Sequence, residues 1–123
     1  MNQTPLNESV KAIEKTIAYM QNHFHDKIDM AMMSSMAGLT ASSYSRLFKK
    51  TMNVSPVKYL TRLRIERAKR LLRHYDAPVK EVSAAVGFGD EFYFSRIFRR
   101  LVGVTPSHYA SQGRARENKH FIG

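Results

Sequence analysis

The side chains in this sequence best suited to recognition chemistry are arginines, and two of them stand in the same setting. Ser45-Arg46 is followed one turn later by Lys49-Lys50, and fifty residues further on Ser95-Arg96 is followed by Arg99-Arg100. A guanidinium presents its N–H donors in a planar fork, so it binds two acceptors at once, as on a phosphate, a carboxylate or the O6/N7 edge of guanine. The neighbouring serine adds an adaptable donor and acceptor, and the cations one turn on add charge. This is equipment for holding an anion.

Residues for bond-making are missing. The chain has no cysteine, which removes disulfides, thiolate zinc sites and thiol nucleophiles together. Of the five histidines, His23 and His25 fall on different sides of a helix, while His74, His108 and His120 stand alone in sequence, so no metal site is expected. There is no phosphate-cradling glycine loop, no Gly-x-Ser-x-Gly, and no carboxylate pair that a pocket would hold apart; Asp90-Glu91 reads as a helix start. The sequence therefore predicts neither an enzyme nor a cofactor.

The charge distribution agrees with anion binding. The 123 residues carry 20 Lys and Arg against 10 Asp and Glu. Residues 41–75 hold ten of those cations with one acid, and residues 96–123 hold six with one, whereas the segments between and before them are weakly acidic. One basic run is ordinarily a solvated helix face. Two runs at matching places fit a polyanion touched twice. No apolar run approaches the ~20 residues that span a bilayer, and Met1–Asn7 lacks a basic-then-apolar leader, so a cytoplasmic protein without membrane contact is expected.

The elements that must position these arginines are duplicated. Tyr44-Ser-Arg-Leu-Phe-Lys-Lys50 matches Phe94-Ser-Arg-Ile-Phe-Arg-Arg100, Val54-Ser-Pro56 matches Val104-Thr-Pro106, and Tyr59 matches Tyr109, all at an offset of fifty. Upstream the offset becomes 49, aligning Ala37-Gly38-Leu39 with Val86-Gly87-Phe88. Each copy reads as helix, tight turn, helix. In the first, Asp29 caps a helix with Met30, Met33 and Met36 at helical spacing, Gly38 stops it, and Thr40 caps a second helix with Tyr44, Leu47, Phe48 and Thr51 on its apolar face. In the second, Val79, Val82 and Val86 precede Gly87, and Asp90 caps a helix with Phe94, Ile97, Phe98 and Leu101 inward. Asn53 and Gly103 tolerate the left-handed backbone that ends both.

Between the copies, Ser55-Pro56 opens a helix expected to run to Tyr75 and to stop before Pro78. Leu60, Leu63 and Leu71 line one side of it, and Ile65, Ala68, Leu72 and Tyr75 another. Its length of about 30 Å approaches the ~34 Å repeat of B-DNA. A preceding helix carries Val10, Ile13, Ile17, Met20 and Phe24, and Thr105-Pro106 starts a last short helix through Tyr109. The expected fold is all-α, with about seven helices: residues 1–54 form the N-terminal helix and first helix-turn-helix lobe, 55–77 a linker helix, 78–112 the second lobe, and 113–123 a flexible basic tail.

With these residues assembled, the chain resembles the DNA-binding domain of the AraC/XylS family of bacterial transcription regulators. The resemblance rests on Gly87-Phe88-Gly-Asp90-Glu-Phe-Tyr93-Phe94-Ser95-Arg96-Ile-Phe98-Arg-Arg100 with Gly103-Val-Thr-Pro106, on Arg46-Leu-Phe48-Lys-Lys50 with Ser55-Pro56 and Tyr59-Leu60, and on Arg64 with Ala68-Lys-Arg-Leu71-Leu72. It covers about residues 8 to 110. It implies two helix-turn-helix motifs bridged by one long helix, with recognition helices in neighbouring major grooves of an asymmetric promoter site, usually to recruit RNA polymerase. The sequence departs from the family in Ser34 and Ser83, where alanine is usual, and in four methionines over 30–36. A buried serine needs a partner, most simply the carbonyl four residues back. The methionines imply softer packing.

On this reading the face opposite Tyr44 and Phe48 presents Ser42, Ser45, Arg46 and Lys49, and the equivalent face presents Phe92, Ser95, Arg96 and Arg99. Arg46 and Arg96 are expected to grip guanine; the alternative is that each braces its own lobe through a carboxylate. Phe92 either meets a thymine methyl or belongs to the core. Glu91 has an acceptor for cytosine N4, and the resemblance places it and Tyr93 near the groove. The expected base-contacting set is Ser42, Ser45, Arg46, Glu91, Phe92, Tyr93, Ser95 and Arg96. Thr40, Lys49, Lys50, Arg99 and Arg100 are expected on phosphates, helped by the two helix N-termini. Arg62, Arg67, Arg70 and Arg73 read as a solvated face with a Glu66–Arg70 pair. The expected function is sequence-specific binding of double-stranded promoter DNA by a transcription regulator, an activator that recruits RNA polymerase and associates with the nucleoid; the alternative is a non-specific architectural DNA binder. The chain is expected to be monomeric, with dimerisation left to a separate sensing domain, and to be either a stand-alone regulator or part of a longer one.

Overall fold

The computed structural model describes residues 5–113, which form seven helices and no strand among the described residues. These are α1 (Pro5–His23), α2 (Met30–Ala37), α3 (Ala41–Met52), α4 (Pro56–His74), α5 (Val79–Ala85), α6 (Glu91–Val102) and α7 over residues 106–113. The chain packs as two compact units, Met1–Leu63 and Arg64–Gly123, with the boundary inside α4.

The stops and starts follow local chemistry. Asp29 accepts a hydrogen bond from the Met32 backbone N–H at 2.8 Å, Thr40 one from Ser43 at 3.2 Å, and Asp90 those of Phe92 and Tyr93 at 2.8 and 3.4 Å. Each satisfies donors that a helix start would otherwise leave bare. Gly38, Gly87, Asn53 and Gly103 all take positive φ, so both turns and the ends of α3 and α6 have the predicted left-handed residue. Ser55 and Thr105 cap α4 and α7 through Lys58 and His108, each at 3.2 Å.

In the first unit α1 and α2 pack on α3 and on one another. Ile13, Met20, Met33, Tyr44, Phe48 and Leu60 form the buried centre. In the second, Ile65, Ala68 and Leu72 of α4 join Val82, Val86, Phe88, Phe94 and Phe98 as buried residues.

Several expectations change. Helix α4 ends at His74, and Tyr75, assigned to an apolar side, is exposed because it lies beyond the last turn. Thr51 and Leu101 are also exposed, each sitting where its helix runs past the core. Glu66 pairs with Lys69 at 3.1 Å instead of Arg70; both spacings are neighbours on a helix surface, and the flexible ammonium reaches first. Ser34 and Ser83 donate to carbonyls three residues back, Ala31 at 3.2 Å and Lys80 at 2.9 Å, where four had been expected. A helical serine reaches either carbonyl. The last helix continues past Tyr109 to a buried Gly113, whose Cα faces Arg73 closely enough that an added Cβ would lie 3.5 Å from its side chain. Gly113, expected to begin the flexible tail, therefore belongs to α7, because it packs against Arg73; the rest of the expected tail, 114–123, lies outside the described residues.

Candidate nucleic-acid interface

Helices α3 and α6 are the two most cleanly sided elements, and the aromatic residues set their orientation. Tyr44 and Phe48 are fully buried on α3, as are Phe94 and Phe98 on α6. The faces turned outward are therefore fixed by periodicity. On α3 they expose Ser42, Ser45, Arg46, Lys49 and Lys50. On α6 they expose Phe92, Tyr93, Arg96, Arg99 and Arg100, with Glu91 and Ser95 half-buried beside them.

Two alternatives left open by the sequence are decided here. Phe92 is 72% exposed and is not a piece of core. Among the described residues no carboxylate lies within ion-pair distance of Arg46 or Arg96, so neither braces its unit in that way. Thr40 is exposed, but its hydroxyl oxygen is occupied as the cap of α3. At α6 the Asp90 carboxylate takes two first-turn N–H groups, so that helix start carries its own anion.

The geometry also shows what the sequence reading missed. The Arg96 guanidinium lies 5.9 Å from the centroid of the Tyr93 ring, and Tyr93 in turn lies 6.1 Å from Phe88. Tyr109 accepts a hydrogen bond from Arg73, which also lies over its ring at 5.4 Å, so this exposed arginine has a specific partner within the solvated face. His23 and His25 both approach Asp26, at 3.2 and 3.4 Å. An i, i+3 spacing was the available signal for Tyr93–Arg96 and His23–Asp26; the Arg73–Tyr109 contact had none. No group of three metal-ligating side chains suited to an ion occurs among the described residues, and no helix there is long and apolar enough to cross a membrane.

The family profile described as a helix-turn-helix domain matches residues 33–112, spanning both motifs. The fold is similar to the DNA-binding domain of AdpA, solved in complex with a target DNA, at a TM-score of 0.82 and 28% identity over 85% of this chain and 95% of that one. It is also similar to a regulator with an AraC-type DNA-binding domain from Chromobacterium violaceum, at a TM-score of 0.78 and 24% identity over 85% and 94% of the two chains. The chain belongs to the AraC/XylS family. The HTH-type transcriptional activator Btr of Bacillus subtilis is 45% identical over 86 residues, 70% of this chain and 16% of Btr. The chain spans between 16% and 37% of the length of the first relatives it matches. The AraC/XylS fold is that of DNA-binding regulators and not of an enzyme family.

Proposed function

We propose that this chain is a sequence-specific double-stranded DNA-binding transcription regulator that reads two successive major grooves of an asymmetric promoter site. The observation that carries the proposal is the repeated outward arginine on α3 and α6, followed one turn later by two exposed cations and opposite a pair of buried aromatic rings. Arg46 and Arg96 grip guanine edges, each discriminating by about 1–3 kcal/mol. Ser42, Ser45 and Ser95 bond bases or nearby phosphates, Phe92 covers a thymine methyl, and Glu91 accepts from cytosine. Lys49, Lys50, Arg99 and Arg100 hold phosphates on either side, with Thr40 at the start of α3. Activation is the role named for relatives such as Btr, and the proposal extends it to recruitment of RNA polymerase on the bacterial nucleoid.

A titration with duplexes tests this. A selected site should bind about a thousandfold or more tighter than scrambled duplex, with log affinity falling linearly in log salt. Arg46→Ala should relax preference at one base position, whereas Lys50→Ala should weaken all sequences alike. Equal affinity for selected and scrambled DNA would replace this reading with an architectural one.

A further inference from the structure

The two recognition helices carry the same arginine in different surroundings. Arg96 is exposed, and its guanidinium stands 5.9 Å from the Tyr93 ring. Tyr93 is itself anchored, because it lies 6.1 Å from Phe88, which is buried and meets Phe94 edge-on at 5.1 Å. A chain of contacts therefore runs from the core of the second unit through Phe88 and Tyr93 to the guanidinium. At the equivalent places in the first unit the repeat has Leu39 for Phe88 and Ser43 for Tyr93. Arg46 thus has no ring at the matching position three residues before it.

We infer that Tyr93 is a positioning residue for Arg96, and that the second helix consequently reads its base more stringently than the first. This rests on the base-reading role proposed above for the two arginines. An arginine side chain on a helix surface loses rotamer freedom when it engages a base edge, and a fork already held against an aromatic face loses less. A cation–π contact at this distance uses none of the guanidinium N–H donors for a hydrogen bond, so they remain available to a base edge. A correct guanine then gains the full pair of bonds at small ordering cost. A wrong base meets a fork that cannot readily swing to another acceptor. Arg46, without that support, reorients more freely and tolerates more substitutions opposite it.

The experiment is selection of bound duplexes from a random pool, run on the wild type and on Tyr93→Ser, Tyr93→Phe, Arg96→Ala and Ser43→Tyr, with thermal melting of each. Wild type should show a sharper preference at the position lost in Arg96→Ala than at its counterpart in the first half-site. Tyr93→Ser, which installs the residue of the first unit, should lower discrimination at that one position about two- to fivefold, the range of an exposed cation–π contact. Tyr93→Phe should retain it, because the ring and not the hydroxyl does the holding. Ser43→Tyr keeps the Thr40 cap, which uses the Ser43 backbone N–H, and should sharpen the position read by Arg46. If Arg96→Ala alters no base preference, the reading of Arg96 fails and this inference with it. If Arg96→Ala does alter preference while Tyr93→Ser melts like wild type and keeps its selectivity, or if Tyr93→Phe loses selectivity as Tyr93→Ser does, the positioning role alone is overturned. Should Tyr93→Ser melt early, Tyr93→Phe and Ser43→Tyr decide it.

Discussion

The two units solve one packing problem with different chemistry, and the difference is clearest in the helix that leads into each helix-turn-helix, α1 in the first and α4 in the second. In the first unit α1 buries Ile13, Thr16 and Met20; in the second, the latter part of α4 buries Ile65, Ala68 and Leu72, at a constant offset of 52. Gln21 donates to the hydroxyl of Tyr59 at 3.2 Å, and at the same offset Arg73 donates to that of Tyr109. Tyr59 and Tyr109 in turn sit edge-on to Phe48 and Phe98, at 5.7 and 5.6 Å. The duplication thus reaches one helix further upstream than the sequence match.

Within that shared frame a polar pair has been exchanged for an apolar one. The Tyr44 hydroxyl donates to Thr16 Oγ1 at 2.8 Å, and Thr16 donates onward to the Ile13 carbonyl at 2.9 Å, all of it buried. Burial pushes the Tyr44 phenol above its ordinary pKa, and the hydrogen bond to Thr16 partly opposes that shift. The second unit has Phe94 and Ala68 at the same two places, so both partners are gone together and nothing is left unpaired. Paired replacement is the inexpensive route between a buried hydrogen bond and an apolar contact. The second unit also places Phe88 against Phe94, where the first has a half-buried Leu39.

The largest test of the comparison removes the common feature. Phe48→Ala and Phe98→Ala should each destabilise the protein by about 3–5 kcal/mol in denaturant titrations, since both rings are fully buried. A loss well under about 2 kcal/mol at either would show that one unit lacks the tight centre assigned to it.

A smaller test addresses the exchanged pair. Thr16→Ala leaves a buried phenol without an acceptor and should cost about 1–3 kcal/mol. Tyr44→Phe should cost less, because Thr16 keeps its bond to Ile13. The double variant, which copies the second unit, should be more stable than the two losses added together, by about 1 kcal/mol of coupling in a double-mutant cycle. Strict additivity would remove the Thr16–Tyr44 bond from the account.

The smallest effect separates the two caps. Thr40→Ala and Asp90→Ala should each cost on the order of 1 kcal/mol, with Asp90 the greater because it accepts two N–H groups and is charged at a helix start. The reverse order in thermal melts would mean that the second N–H contact contributes nothing.

Much of this was legible before any coordinates. Asp29, Thr40 and Asp90 as caps, Gly38, Gly87, Asn53 and Gly103 as stops, and the inward aromatic pairs of α3 and α6 all follow from interactions within a few residues, which a linear string records directly. The outward placement of Arg46 and Arg96 follows from the same periodicity. Less legible were the ends of apolar stripes: Leu101 and Tyr75 have the right residue type, but the core stops before it reaches them.

The sequence by itself determined a helical chain, its duplication and the side of each recognition helix that turns outward, because helix caps, left-handed stops and a 3.6-residue apolar period act over one or two turns. Tertiary structure alone decided that Phe92 is exposed, that Thr16 answers Tyr44 across 28 residues, that Arg73 seats on Tyr109, and that a buried Phe88 stands behind Tyr93 and Arg96. Those outcomes depend on which surfaces meet once distant helices have docked, and close packing admits only one of the partners that local spacing leaves open.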